Sequence, residues 1–248
     1  FRQLLYGSSP MAVEWIKKAL DAFDDVEIIQ AYGLTETSPI LTILPMAEHE
    51  QAIAGENVAL LQSVGRPIPG VEMRIVDDND TDVPIDAAGE IIVRGANVSK
   101  GYLNRPDETR TGFRKGWLHT GDVGRMNDQG YLFLLDRKKD MIITGGENVY
   151  SSEVEACLHQ HPDVHECAVV GVPDDAYGEA LLAVVVTTPG AVLTDTILIA
   201  HCRGRIGGYK IPRRYRFVYE LPKSAMNKIL KNELRRMIST ESCAGPEA

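Results

Sequence analysis

The sequence has 248 residues, 44% hydrophobic and 25% charged, enough for a buried core and for two domains. A net charge of −9 excludes a general binder of nucleic acid or of an anionic membrane surface, because phosphate-rich partners repel such a surface. Apolar runs such as 180–186 fall far short of the ~20 residues that cross a bilayer, so no transmembrane segment is expected.

The chain opens on Phe1-Arg2-Gln3, without a start methionine, a charged leader or a cleavage site, and reads as an internal cut. Val13, Ile16, Ala19, Leu20 and Phe23 recur at a helical period behind the start signals Ser9-Pro10, predicting a helix over 11–23. A short buried strand follows over 26–29. From 45 to 130 the texture changes to short β-rich runs, among them 71–76 and 89–93, punctuated by Pro-Gly and Asp-Asn-Asp turns; this predicts a small barrel or distorted sheet. A strand is expected over 131–135. Beyond Asp136 the pattern becomes mixed α and β, which puts the domain boundary between 135 and 136. Ser151 or Ser152 is expected to cap a helix whose Glu153 and Glu155 suit its positive end, and which stops at His161-Pro162. Strands over 168–172 and 181–187 are expected to join at Pro173-Asp174-Asp175. A helix over 195–203, a basic loop, a strand over 215–219 and a last helix over 229–238 complete the pattern, with 241–248 expected to be a disordered tail.

The four cysteines, Cys157, Cys167, Cys202 and Cys243, form neither a paired CxxC motif nor a dense framework, which suits a reducing cytoplasm. His159, His161, His165 and Cys167 have zinc-like chemistry, but their spacing fits a helix end and a strand start better than a ligand set. Between 203 and 236 there are eleven bases against only Glu220 and Glu233. A basic face on an acidic protein suits a compact polyanion such as a nucleotide or coenzyme A; it also suits a solvated surface.

Four segments carry candidate chemistry. Tyr32-Gly33-Leu34-Thr35-Glu36-Thr37 follows a strand and offers an aromatic to stack on a base, a glycine for close approach, a hydroxyl for a phosphate and a carboxylate for Mg²⁺. Gly116-Trp117-Leu118-His119-Thr120-Gly121-Asp122 ends in an acid that can accept from ribose hydroxyls. Asp136-Arg137-Lys138-Lys139-Asp140 packs five charges at the boundary, ahead of Ile142-Ile143-Thr144-Gly145-Gly146; it suits a solvated hinge or an exposed hairpin turn. In Pro222-Lys223-Ser224-Ala225-Met226-Asn227-Lys228 a turn presents Lys228 before the last helix, where it could neutralise charge building on a phosphate.

These motifs, in this order, resemble the adenylate-forming superfamily of acyl-CoA synthetases, luciferases and peptide-synthetase adenylation domains, from Tyr6 to about Lys231. Tyr6-Gly7-Ser8-Ser9-Pro10 is similar to the family's adenine-site loop, and Gly101-Tyr102-Leu103-Asn104-Arg105-Pro106 with 117–122 to its ribose region. The resemblance implies an α/β and α+β fold: the C-terminal part of a large adenylation domain with a barrel-like subdomain, then a small mobile α+β lid over 136–240. It implies that Gly7, Ser8, Ser9, Tyr32, Gly33, Asp122 and Arg137 bind nucleotide, with Asp122 and Arg137 on the ribose. Thr35 would contact the AMP phosphate, Glu36 would hold magnesium and Lys228 would act in adenylation. Asp136 and Lys139 would form the hinge, and Gly145 and Gly146 would line the coenzyme A tunnel. The implied partners are a carboxylic acid, first of all a fatty acid, with ATP, Mg²⁺ and coenzyme A.

The sequence departs from the family twice. Asn227-Lys228 stands where Gly-Lys is usual, and asparagine tolerates the left-handed conformation that glycine serves there. The family's Thr/Ser/Gly-rich phosphate loop is absent from these residues, so the 248-residue chain is expected to lack ATP-dependent activity by itself. Two alternatives remain at this stage. One is an adenylating enzyme that loads a carrier-protein thiol, and the other is a non-catalytic nucleotide or acyl-CoA binding module.

Overall fold

A computed structural model describes residues 2–7, 11, 13–23, 26–225 and 227–243, with the side chains of 14 and 240–243 left undescribed. The chain divides into two compact units, Phe1–Lys138 and Lys139–Ala248.

The first unit begins with a parallel pair, β1 (Gln3–Gly7) and β2 (Glu27–Tyr32), joined by helix α1 (Val13–Ala22). Strand β3 (Thr42–Leu44) runs antiparallel on β2, and the two-residue β4 (Arg66–Pro67) extends the sheet. Ile16 of α1, Leu44, Leu60, Leu61, Tyr131 and Phe133 form one core, joined by Ala52 of helix α2 (Met46–Ile53). Helix α2 was not expected. It buries only His49 and Ala52, and its capping position is Pro45, which has no side-chain acceptor, so neither its period nor its start was legible.

The 45–130 region is not purely β. Beside α2 it holds α3 (Pro106–Gly112), which has proline at its start, Asp107 and Glu108 in its first turn and no buried residue, hence no apolar stripe to read. The remainder matches the expected texture: β5 (Val71–Val76), β6 (Gly89–Gly95), β7 (Phe113–Arg114), β8 (Trp117–Met126) and β9 (Leu132–Arg137) form one antiparallel sheet. Its order is β5-β6-β8-β7, with β9 also on β8. Register breaks between Glu90 and Ile92 and between Val123 and Gly124 increase the local twist. The result is a curled half-barrel over Tyr32, Leu41, Val64, Ile75, Ile91, Val93, Leu118 and Leu132.

The second unit is built around β12 (Val164–Asp174) and β13 (Gly178–Thr187), antiparallel neighbours flanked by β10 (Ile142–Thr144), β11 (Glu147–Val149) and β14 (Arg214–Phe217). Both faces of this sheet are covered. Cys167, Val169, Leu181, Ala183 and Val185 pack with α4 (Ser151–His159) and α5 (Asp195–Cys202), while Ala168, Val170, Leu182, Val184 and Val186 pack with Leu221 and with Leu234 of α6 (Lys231–Cys243). A strand buried on both faces reads as a continuous apolar run, which is why 180–186 is the longest in the sequence.

Several boundaries move. Pro173 and Asp174 belong to β12, and the turn is residues 175–177. Tyr150 holds the capping position of α4, not either serine; Ser151 is its buried first residue and accepts a hydrogen bond from Lys231 Nζ at 2.6 Å. Helix α6 runs to Cys243, into the segment expected to be a tail, while 244–248 lie outside the described residues.

Candidate active site

In the first unit the strand β2 delivers Tyr32 to the start of a short loop, 33–41, that folds back on itself. A side-chain carbon at Gly33 would sit 1.8 Å from Pro39 O, and one at Gly7 would sit 2.2 Å from Ala31 O, so both positions admit only glycine. Thr37 is buried and closes the loop, accepting from Leu34 N and donating to Leu34 O. Asn97, in the turn after β6, secures it, donating through Nδ2 to Thr37 O and Ile40 O at 2.9 and 3.0 Å. The turn holds Thr35 exposed and Glu36 half-buried at its centre.

Asp122 on β8 and Arg137 on β9 are direct cross-strand partners. Arg137 Nε donates to Asp122 Oδ1 at 2.7 Å, and the Tyr32 hydroxyl donates to Oδ2 at 2.6 Å. Asp122 is 6% exposed; burial pushes its carboxyl above the usual range, opposed by the Tyr32 hydrogen bond and the Arg137 charge, while Asp136 and Glu36 add to the rise. Burial and the adjacent Asp122 likewise raise the Tyr32 phenol. An ionised carboxylate has about four acceptor sites, so each Asp122 oxygen keeps capacity for a further donor, such as a vicinal diol.

Glu36 is held by a residue that motif reading put in the ribose region without giving it a role of its own. The Tyr102 hydroxyl donates to Glu36 Oε1 at 2.8 Å, and burial with that contact raises the phenol to about 12. The Tyr102 ring meets Phe113 edge-on, with centroids 5.6 Å apart. Asn97 was missed altogether, because its contacts span about sixty residues and leave no local signal. Ser8 and Ser9 lie outside the described residues, and Gly7 ends β1 beside Ala31.

In the second unit, Lys223 and Ile229 bridge the base of a small hairpin. Ser224 N donates to Lys228 O at 2.8 Å, Lys228 N to Ser224 Oγ at 3.2 Å, and Asn227 adopts φ +61°, the left-handed conformation its side chain tolerates. Lys228 is exposed at the tip; Met226 lies outside the described residues. Gly145 and Gly146, φ +60° and +84°, form the two-residue turn between β10 and β11. Lys139 is exposed, while Asp140 is buried and accepts from Arg235 Nη2 at 2.9 Å. The structure thus gathers Tyr32, Asp122, Arg137, Glu36 and Thr35 in one unit, and Lys228, Lys139, Gly145 and Gly146 in the other.

Two family models match the chain: AMP-binding enzyme over residues 1–103 and AMP-binding enzyme C-terminal domain over residues 153–228. The 2-succinylbenzoate–CoA ligase of Geobacillus kaustophilus is 42% identical over 241 residues, 96% of this chain and 46% of that protein. The long-chain-fatty-acid–CoA ligase of Salmonella typhimurium is 44% identical over 208 residues, 84% of this chain and 35% of that protein. Among solved structures, o-succinylbenzoate CoA synthetase (MenE) of Bacillus subtilis with its acyl-adenylate intermediate superposes with a TM-score of 0.84 at 34% identity, covering 94% of this chain and 46% of that one. The same enzyme has been solved with ATP and magnesium ion. The chain spans about half the length, or less, of the curated relatives it matches. With two family models matched in chain order and the same fold present in a solved acyl-adenylate complex, the chain belongs to the adenylate-forming AMP-binding enzyme family.

Proposed function

We propose that this chain supplies the nucleotide-contacting edge and the lid of an AMP-forming acid–thiol ligase, which activates a carboxylic acid with ATP and passes the acyl group to coenzyme A. The observation that carries the proposal is the Tyr32–Asp122–Arg137 array, a buried carboxylate with spare acceptor sites beside a fixed guanidinium, next to a loop presenting Thr35 and Glu36. Asp122 and Arg137 bind the ribose hydroxyls, Thr35 donates to the α-phosphate, and Gly7 and Gly33 let backbone approach the base and phosphate.

Glu36 fits magnesium. Its Oε1 accepts from Tyr102, so Oε2 is the hard carboxylate oxygen that would hold the ion together with nucleotide phosphates. Magnesium, when bound there, neutralises phosphate charge. In the first half-reaction an acid oxygen attacks the α-phosphorus, the bond to pyrophosphate breaks and an acyl-adenylate forms; Lys228 balances the charge between carboxylate and α-phosphate. In the second, the sulfur of coenzyme A attacks the acyl carbon, AMP leaves and the thiol proton passes to solvent. Lys139 is the pivot about which the lid turns between the two steps, with Asp136 on the fixed side, and the exposed Gly145-Gly146 turn lines the pantetheine path.

A fatty acid is the first substrate class we put forward, supported by the long-chain relative; an aryl acid of the 2-succinylbenzoate type competes at similar identity. A panel of carboxylic acids with the intact protein that carries this chain decides, by acid-dependent AMP release and consumption of free coenzyme A. AMP release that depends on a carrier-protein thiol and ignores coenzyme A would replace the acceptor, and no acid-dependent AMP release would remove the ligase proposal.

A further inference from the structure

Helix α6 follows the Lys228 hairpin directly, and two cations four residues apart on it, Lys231 and Arg235, lie on one face. Lys231 Nζ contacts Glu155 Oε1 of α4 at 2.7 Å and donates to Ser151 Oγ at 2.6 Å. Glu155 Oε1 also accepts from Val169 N of β12 at 2.7 Å, so one carboxylate ties α4, β12 and α6 together. One turn further on, Arg235 Nη2 pairs with Asp140 Oδ1 at 2.9 Å, and Asp140 directly follows Lys139. These side chains are sheltered, with exposures of 16% for Lys231, 19% for Glu155 and 10% for Asp140, so solvent screens the pairs far less than surface ion pairs. At the base of the hairpin Lys223 pairs with Glu166 of β12, and Leu230 N donates to Pro222 O at 2.8 Å. On its apolar side α6 is seated by Leu234.

Resting on the roles given above to Lys228 and Lys139, we propose that α6 is a strut. Lys231 and Arg235 are positioning residues that lock the start of the lid, its core and the Lys228 hairpin into one rigid piece. A turn at Lys139 is then delivered undiminished to the Lys228 ammonium. Without the strut, α6 could slide on its apolar seat and Lys228 would lose its position while the Gly145-Gly146 turn, on the opposite end of the sheet order, kept its own.

The test uses Lys231→Met, Arg235→Leu and the conservative Arg235→Lys in the intact protein. The two half-reactions are measured separately, as acid-dependent ATP–pyrophosphate exchange and as thioester formation from a supplied acyl-adenylate. Exchange is expected to fall on the order of 10- to 100-fold in the first two variants, as a misplacement near 1 Å does, while thioester formation changes less than about twofold. Arg235→Lys is expected to keep most of the exchange. Parallel loss in both half-reactions, or unchanged exchange, overturns the strut. Should Lys231→Met fail to fold, Glu155→Gln carries the same comparison at nearly constant shape, with the same outcomes deciding. Lys228→Ala separates the two ideas: if it leaves exchange intact, the role of Lys228 itself fails, whereas if it abolishes exchange and the strut variants do not reduce it, only the strut fails.

Discussion

Asp122 concentrates the chemistry of the first unit, and its surroundings set what its loss should do. The carboxylate is buried, charged against Arg137 and hydrogen-bonded by Tyr32. Asp122→Asn keeps the shape but removes the charge beside Arg137 and turns one of the two acceptor oxygens into a donor. Hydrogen bonds to charged groups contribute about 1.5–3 kcal/mol, so nucleotide affinity is expected to drop on the order of 10- to 100-fold, read as the KM for ATP or as AMP binding by calorimetry. An unchanged affinity would remove Asp122 from the ribose site. His49 gives a different handle. It is fully buried, its Nδ1 lies 2.9 Å from Pro45 O and its Nε2 lies 2.9 Å from the Tyr6 hydroxyl. Burial holds the imidazole below its ordinary value, against the opposing pull of the Pro45 carbonyl and the Glu48 charge. The folded pKa lies under the unfolded one of about 6.5, so the unfolded chain takes up the proton first. The stability contribution is therefore complete above about pH 6.5 and is lost as pH falls towards the folded value. Urea unfolding between pH 7.5 and 5 should show this loss, and His49→Phe should flatten it; an identical slope in both proteins would assign the pH dependence elsewhere. Tyr32, Asp122 and Arg137 were legible as candidates because they stand in ordered motifs. The bond between Tyr32 and Asp122, ninety residues apart, was not, and it shows that the Tyr32 hydroxyl has a structural task besides any stacking by its ring.

At the scale of elements, legibility followed burial. Strands β12 and β13, wrapped on both faces, were read from their apolar runs, though their starts were placed too far in because His165 and Glu166 in one strand and Glu179 in the other break the run while the ladder continues. Helices α2 and α3 bury little or nothing and were invisible. The β10–β11 hairpin was one of two readings offered for the charged and glycine-rich segment after Asp136, and its turn depends on Gly145 and Gly146 at positive φ. A side chain in the left-handed region costs about 1–2 kcal/mol per residue, so Gly146→Val should lower the unfolding free energy of the second unit by at least that amount. Because the turn is proposed to line the pantetheine path, the same variant should slow thioester formation from a supplied acyl-adenylate more than pyrophosphate exchange. Equal slowing of both would reduce the turn to a purely structural part.

For the whole molecule, the decisive signal was order. Each motif alone has an ordinary structural explanation, yet loop, ribose acid, charged boundary, glycine turn and terminal lysine follow one another as they do in the adenylate-forming family, and two family models match the chain in that same order. The sequence already put Gly145, Gly146 and Lys228 in a second domain; what it misplaced was the border, expected between 135 and 136, whereas the compact units are Phe1–Lys138 and Lys139–Ala248, so Arg137 stays with Tyr32 and Asp122 in the first. On the proposed mechanism, that division lets the second unit serve each of the two steps in a different way. The acid itself is not written in these residues, since relatives that act on dissimilar acids match at similar identity. The most direct test of the two-step proposal is Lys228→Ala in the intact protein, with both half-reactions measured. The expected result is loss of acid-dependent pyrophosphate exchange with thioester formation from a supplied acyl-adenylate retained; equal loss of both, or exchange at the unmodified rate, would contradict it.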